Sequence, residues 1–139
     1  MNQTEQIKIN DQLIAIIIYS KYNKDGIEFF TPENFSQQLG YMKHKKGDTI
    51  QEHIHILHPR EIKYTQETLF IKRGRVKVNF YTDDKTYFTS RELKTGDVIL
   101  LASGGHGFEF LEETEMIEVK QGPYCGDQDK VRFNGVRTG

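Results

Sequence analysis

Two histidines and a glutamate lie close together in the stretch QEHIHILHPREIKYTQETLF. His53 and His55 are separated by one residue, and Glu67 follows after eleven more. Alternate side chains of a β-strand point to one face, so a strand over EHIHIL would place both imidazoles on the same side. Mixed imidazole and carboxylate ligands suit iron, manganese, nickel or zinc. The spacing therefore indicates a site for one divalent first-row transition metal.

Glu67 is predicted to point into the protein. A strand over ETLFIK would put Glu67, Leu69 and Ile71 on one face, and the other two members of that row are apolar. Burying a carboxylate is costly unless it is paired, hydrogen-bonded or bound to a metal. Two neutral imidazoles and one carboxylate would satisfy one another best around a divalent cation.

A further histidine begins an aromatic row near the end of the chain. His106 follows Gly104 and Gly105, which permit a tight turn, and it alternates with Phe108 and Phe110. An imidazole is thus again predicted at the start of an inward-facing row. The predicted metal ligands are His53, His55, Glu67 and His106.

Short strands must position these ligands. Segments with two-residue alternation or brief β-branched runs follow one another, separated by turn sequences such as KKGD, KRGR, TDDK and KTGD. No long segment has apolar residues at helical spacing, and TPENFSQQ is compatible with either a helical turn or a loop. The sequence predicts one all-β domain over residues 1–139, either a sandwich or a small barrel.

Composition excludes several function classes. The net charge is −1, with 36% hydrophobic and 28% charged residues, so no strong field attracts nucleic acid or a membrane. The single cysteine, Cys125, cannot form an internal disulfide and fits a reducing compartment. The N-terminal residues lack a signal-peptide pattern, and the apolar run Leu13–Tyr19 is too short to span a membrane. We expect a cytoplasmic protein.

The stretch from Gly47 to Gly74 resembles the first sequence motif of the cupin superfamily. That motif reads glycine, five residues, His-x-His, a short gap, glutamate, six residues, glycine; Gly47, His53, His55, Glu67 and Gly74 match it. The gap before Glu67 is eleven residues here, where three or four are usual.

The stretch from Gly96 to Phe110 resembles the second cupin motif. Gly96 and Gly104 match its glycines and His106 supplies its histidine, one residue early, while Ala102 replaces the usual proline. The resemblance implies a double-stranded β-helix, or jelly-roll barrel, with one divalent metal (Fe, Mn, Ni or Zn) held by the four ligands named above.

A substrate pocket is predicted next to the metal. Tyr41 and Lys43 would share a face of one strand, Gln51 would share a face with the two histidines, and Phe108 and Phe110 would form an apolar wall. Hydroxyl, ammonium and amide groups beside a cationic metal centre favour a small polar, anionic or polyhydroxylated ligand.

The C-terminal residues 122–139 form a polar tail that contains GPYCGDQDKVRF. A similar tail follows the barrel in small uncharacterised cupins encoded with surface-polysaccharide genes. Through Tyr124 and Phe133 the tail could fold back over the barrel or cross to another subunit. A homodimer is predicted, because the uniformly apolar strand IAIIIYS would not remain a bare edge in a monomer.

Two functions are compatible with these features. The first is a metal-dependent enzyme of isomerase, lyase or dioxygenase type that acts on a sugar or another small polar metabolite. The second is a non-catalytic sensor or binding module in which the metal anchors a ligand or is structural. Fold does not decide between them, and the catalytic residues are unassigned.

Overall fold

The computed structural model describes residues 3–137 as ten β-strands and one short 3-10 helix. The paired strands are all antiparallel, which confirms the predicted all-β class. No helix among these residues is long and apolar enough to cross a membrane. The elements are β1 (Thr4–Ile9), β2 (Gln12–Ile18), β3 (Gly26–Phe29), β4 (Gly40–Lys43), β5 (Glu67–Arg73), β6 (Arg75–Tyr81), β7 (Tyr87–Lys94), β8 (Val98–Leu101), β9 (Gly105–Phe110), β10 (Glu115–Lys120) and the 3-10 helix Gly126–Asp129.

The strands form three sheets. The largest has the order β1-β2-β8-β5-β10, the second has the order β7-β6-β9, and the third is the β3-β4 hairpin. The two larger sheets share a hydrophobic core in which β5 contributes Leu69 and Ile71, and β6 contributes Val76, Val78 and Phe80. Within the described residues these sheets stay separate and do not close into a barrel.

Strand β2 is covered on both faces by its own chain. Ala15 and Ile17 belong to the main core, whereas Ile16 packs in a second cluster that Phe30 and Phe35 help to cover. Strand β2 also lies between β1 and β8, so it is not an edge. The premise for the predicted homodimer, that this strand needs a second subunit, is therefore wrong.

The predicted strand over EHIHIL does not form in the described chain. Residues 44–66 contain no strand, and residues 49–63 are exposed throughout. A strand requires a neighbour for its backbone N–H and C=O groups, and β5, which follows this segment, is already paired on both sides by β8 and β10. TPENFSQQ adopts turns and bends, which resolves the open choice there in favour of a loop.

An ion pair between the two larger sheets predicts a pH-dependent stability. Arg91 donates two hydrogen bonds to the Glu5 carboxylate, at 2.9 and 2.8 Å, and Tyr19 donates a third at 2.8 Å. The Arg91 guanidinium is the main reason that the pKa of Glu5 lies below its usual range. A lowered carboxyl pKa stabilises the fold above the unfolded pKa of about 4.3, and this stabilisation disappears as the pH falls through the folded-state value.

We therefore expect Glu5→Gln to lower the free energy of unfolding by about 1–2 kcal/mol at pH 7, allowing for the partial exposure of the pair. The difference from wild type should shrink towards zero as the pH is lowered below 4. Urea unfolding at pH 7 and pH 3 measures both values. Glu33→Gln, at an exposed position, is the control and should change little at either pH. An equal loss at both pH values would contradict the prediction.

Candidate functional site

Glu67 and His106 meet between the two larger sheets. Glu67 is the first residue of β5 and His106 is the second residue of β9. The His106 Nε2 atom lies 3.1 Å from Glu67 Oε1, and the two side chains are 26% and 15% exposed. The structure thus brings together two of the four predicted ligands from positions 39 residues apart in the chain.

The alternating, inward-facing residues of β5 and β9 explain why Glu67 and His106 come into contact. Leu69 and Ile71, which alternate with Glu67, are buried, so the β5 row is confirmed. On β9, His106 lies opposite Phe80 and Phe108 lies opposite Val78, and directly opposed residues share a face of a sheet. Because Phe80 and Val78 are core residues, His106 and Phe108 also face the core side.

The Glu67 carboxylate is held in its ionised form. Its hydrogen bond with His106 is the largest of the effects that lower the pKa of Glu67 to about 2, against the opposing effect of burial. A second hydrogen bond, from Glu118, acts in the same direction. The pKa of Glu118 is raised, mainly by that bond to Glu67 and then by its own partial burial. Of the two carboxyl groups, Glu67 is therefore the one that ionises more readily.

Glu118 and Lys120 are members of this site that sequence reasoning missed. In the β5–β10 register Lys120 lies directly opposite Glu67, and Glu118 lies opposite Leu69. Both therefore share the face of β5 that carries the site. The alternation of Met116, Glu118 and Lys120 in EMIEVK was the available signal, because it places two charged groups on the same face as an apolar residue.

His53 and His55 form a separate pair. Their ring centroids are 5.1 Å apart at an interplanar angle of 77°, and both side chains lie in the exposed segment before β5. His53 Nδ1 lies 2.9 Å from the carbonyl oxygen of Gln51. Across residues 3–137, no three or more His, Cys, Asp or Glu side chains are grouped so that they could hold a metal ion. In the described chain, the four predicted ligands therefore form two separate pairs, His53 with His55 and Glu67 with His106.

The predicted pocket residues are spread over three parts of the molecule. Tyr41 and Lys43 lie on β4; the ring of Tyr41 packs on Tyr22, and Lys43 Nζ is 2.8 Å from Asn23 Oδ1. Gln51 is in the exposed segment. The two aromatic residues are on β9, where Phe108 packs against the core and Phe110 is 57% exposed.

The C-terminal tail folds back onto the three-stranded sheet, which is one of the two alternatives predicted from the sequence. The rings of Phe133 and Tyr81 pack edge to face at 5.1 Å, and the Val136 amide donates to the Tyr81 hydroxyl at 2.9 Å. Tyr124, the other predicted anchor, is 94% exposed, so it does not hold the tail on its own chain. Residues 138 and 139 lie outside the described residues.

A basic cavity of about 500 Å³ lies beside the site. Its lining includes Lys120, which belongs to both features, but neither Glu67 nor His106. Five cationic side chains and two carboxylates contribute to the lining: Arg60, Lys63, Lys120, Lys130, Arg132, Asp127 and Asp129. An excess of cationic groups around a concave surface attracts anions.

Comparisons of the chain with protein-family models, with curated protein sequences and with solved structures found no match.

Proposed function

We propose that this chain is a metal-binding cupin of the jelly-roll type that acts on a small polar or anionic metabolite. The observation that carries the proposal is the contact between His106 and the ionised Glu67 carboxylate between the two larger sheets. These groups would hold one divalent first-row metal together with His53 and His55. The ordered turns at Gly74 and Gly96, two of the motif glycines, support the cupin resemblance, since both adopt positive φ angles, of 110° and 92°.

The donor set fits such a metal. Glu67 offers an anionic oxygen at neutral pH because its pKa is about 2. His106 and Glu67, whose Nε2 and Oε1 atoms lie 3.1 Å apart, would supply one imidazole nitrogen and one carboxylate oxygen to the metal ion. Three neutral imidazoles and one carboxylate leave a divalent ion with net positive charge, which favours an anionic or hydroxylated ligand.

The surrounding residues support a reaction on an anionic substrate. A bound metal would supply Lewis-acid activation of a carbonyl or hydroxyl group. The raised pKa of Glu118 makes this carboxyl group suitable for proton transfer next to the site. Lys120 would attract the substrate from the basic cavity, and the ring of Phe108 would exclude water from the core side. With Glu118 as its acid–base group, the site would act as an enzyme rather than as a passive sensor.

Metal analysis tests the proposal directly. We expect protein produced in metal-replete medium to contain about one divalent first-row metal ion per chain, and the His53→Ala, His55→Ala double variant to lose most of it. Both histidines are exposed, so their removal should leave the thermal unfolding of the metal-free protein nearly unchanged. His58→Ala, from the same exposed segment, is the matched control and should retain the metal. Full occupancy in the double variant would rule out the ligand assignment.

A further inference from the structure

The segment that carries His53 and His55 has the pattern of a strand but no strand partner. Ile54 is 89% exposed, Ile56 is 83% exposed and Leu57 is fully exposed. The two histidines alternate with the two isoleucines, as they would on opposite faces of a strand. Exposed apolar side chains that follow each other at this density mark a surface that another element covers.

An open sheet edge is available to pair with this segment. In the order β7-β6-β9, β9 pairs with β6 on one side and has no described strand on the other. Its core face carries His106, and its opposite face carries Gly107, around which a Cβ atom would meet nothing within 4 Å. An added strand could therefore place its histidines beside His106 and its isoleucines on the other face, next to Gly107.

We propose that residues 51–57 of a second copy of this chain pair with the free edge of β9, and that the exchange is reciprocal. The partner's His53 and the partner's His55 would then join Glu67 and His106, so each metal site would be built from two chains. This inference rests on the metal site proposed above. It also gives a new reason to expect the predicted homodimer. The first reason, an uncovered β2 strand, does not hold because β2 lies between β1 and β8.

The segment is tied to its own chain at both ends, and its middle is exposed to a second copy. On its C-terminal side, the Thr65 hydroxyl donates to the Asp129 carboxylate, which ties the segment to the tail. On its N-terminal side, a turn between Lys45 and Asp48 is closed by hydrogen bonds at 2.9 and 3.0 Å. Between these anchors, residues 49–63 are exposed. In a reciprocal exchange with two-fold symmetry, the free β9 edge of each chain pairs with residues 51–57 of the other chain.

Complementation between two defective chains distinguishes exchange from closure within one chain. One chain carries His53→Ala and His55→Ala, the other carries Glu67→Ala and His106→Ala, and each has a different affinity tag. Co-expression and sequential purification on both tags isolates the mixed dimer, and zinc is measured at a fixed free concentration. In the exchanged dimer one of the two sites is intact, so we expect one zinc per mixed dimer and none in either mutant homodimer. A mixed dimer without zinc, when wild type binds it, would overturn the inference.

A second measurement does not depend on metal. Ile54→Asp combined with Ile56→Asp places charges on the proposed pairing segment, at positions that are exposed in the single chain, so the fold should persist. We expect light scattering to show a dimer for wild type and a monomer for this variant. Val131→Asp, at a 75% exposed position in the tail, is the control and should remain dimeric. A wild-type monomer would reject the exchange even if it binds zinc, whereas a dimer without zinc would reject only the metal site.

Discussion

Replacement of Glu67 by alanine is expected to lower the affinity for a divalent first-row metal by more than about 100-fold. Loss of groups that only orient the ligands typically lowers metal affinity 10–100-fold, so loss of a direct ligand should have a larger effect. Glu67 is also the proposed site's anionic ligand, and its charge offsets part of the charge of the ion. Titration with zinc in competition with a chelator measures the affinity of wild type and variant.

Glu118→Gln is the matched control for this prediction. Glu118 shares the face and the hydrogen bond of Glu67, but its raised pKa makes it the less readily ionised, and so the weaker, anionic ligand of the two. Glutamine retains a hydrogen-bond donor, so we expect zinc affinity to change less than about 10-fold. If Glu67→Ala and Glu118→Gln had equal effects, the metal would be held by the carboxylate pair as a whole, and the assignment of Glu67 alone would be wrong.

Gly74→Ala is expected to lower the free energy of unfolding by about 3–5 kcal/mol. Gly74 connects β5 to β6 with a φ of 110°, a region that residues with a Cβ atom rarely occupy. An added Cβ would lie 2.5 Å from the carbonyl oxygen of Glu113 and 2.7 Å from the Cα of Thr114. These are backbone atoms, so relief of the clash requires the whole Glu113–Thr114 turn to move.

Gly47→Ala separates the cost of backbone strain from the cost of the steric clash. Gly47 has a similar φ of 94°, but a Cβ there would meet no atom within 4 Å. Its expected loss is about 1–2 kcal/mol, from backbone strain alone. Urea unfolding of both variants under the same conditions measures the difference. Losses of equal size would mean that the turn at Glu113 and Thr114 adjusts freely, contrary to the prediction.

Local alternation was sufficient to predict which faces of the strands carry the site. The row of Glu67, Leu69 and Ile71 and the row that begins at His106 both follow from a period of two residues, which depends only on strand geometry. The same reasoning identified Glu67 and His106 as members of one site. Their direct contact depends on two separate sheets facing each other, whereas the sequence predicted that they converge inside one closed barrel.

Pairing between strands could not be predicted in the same way. EHIHIL has the alternation of a strand, yet a strand also needs a free edge, and edges are set by segments far away in the sequence. Strand β2 shows the same dependence, because its neighbour β8 begins at Val98. Glu118 was missed for a related reason, since only the register of β10 against β5 places it next to Glu67.

The position of β2 in the sheet has a consequence for the protein during its synthesis. Strand β8, which covers one edge of the strand that contains the apolar residues Ile14–Ile18, is made about 80 residues after them. At 5–20 residues per second this interval lasts about 4–16 s. Throughout that time the nascent chain exposes a five-residue aliphatic strand with an unpaired edge, the type of segment that chaperones bind and that aggregates when they are scarce. Expression yield should therefore depend on translation rate and on chaperone supply.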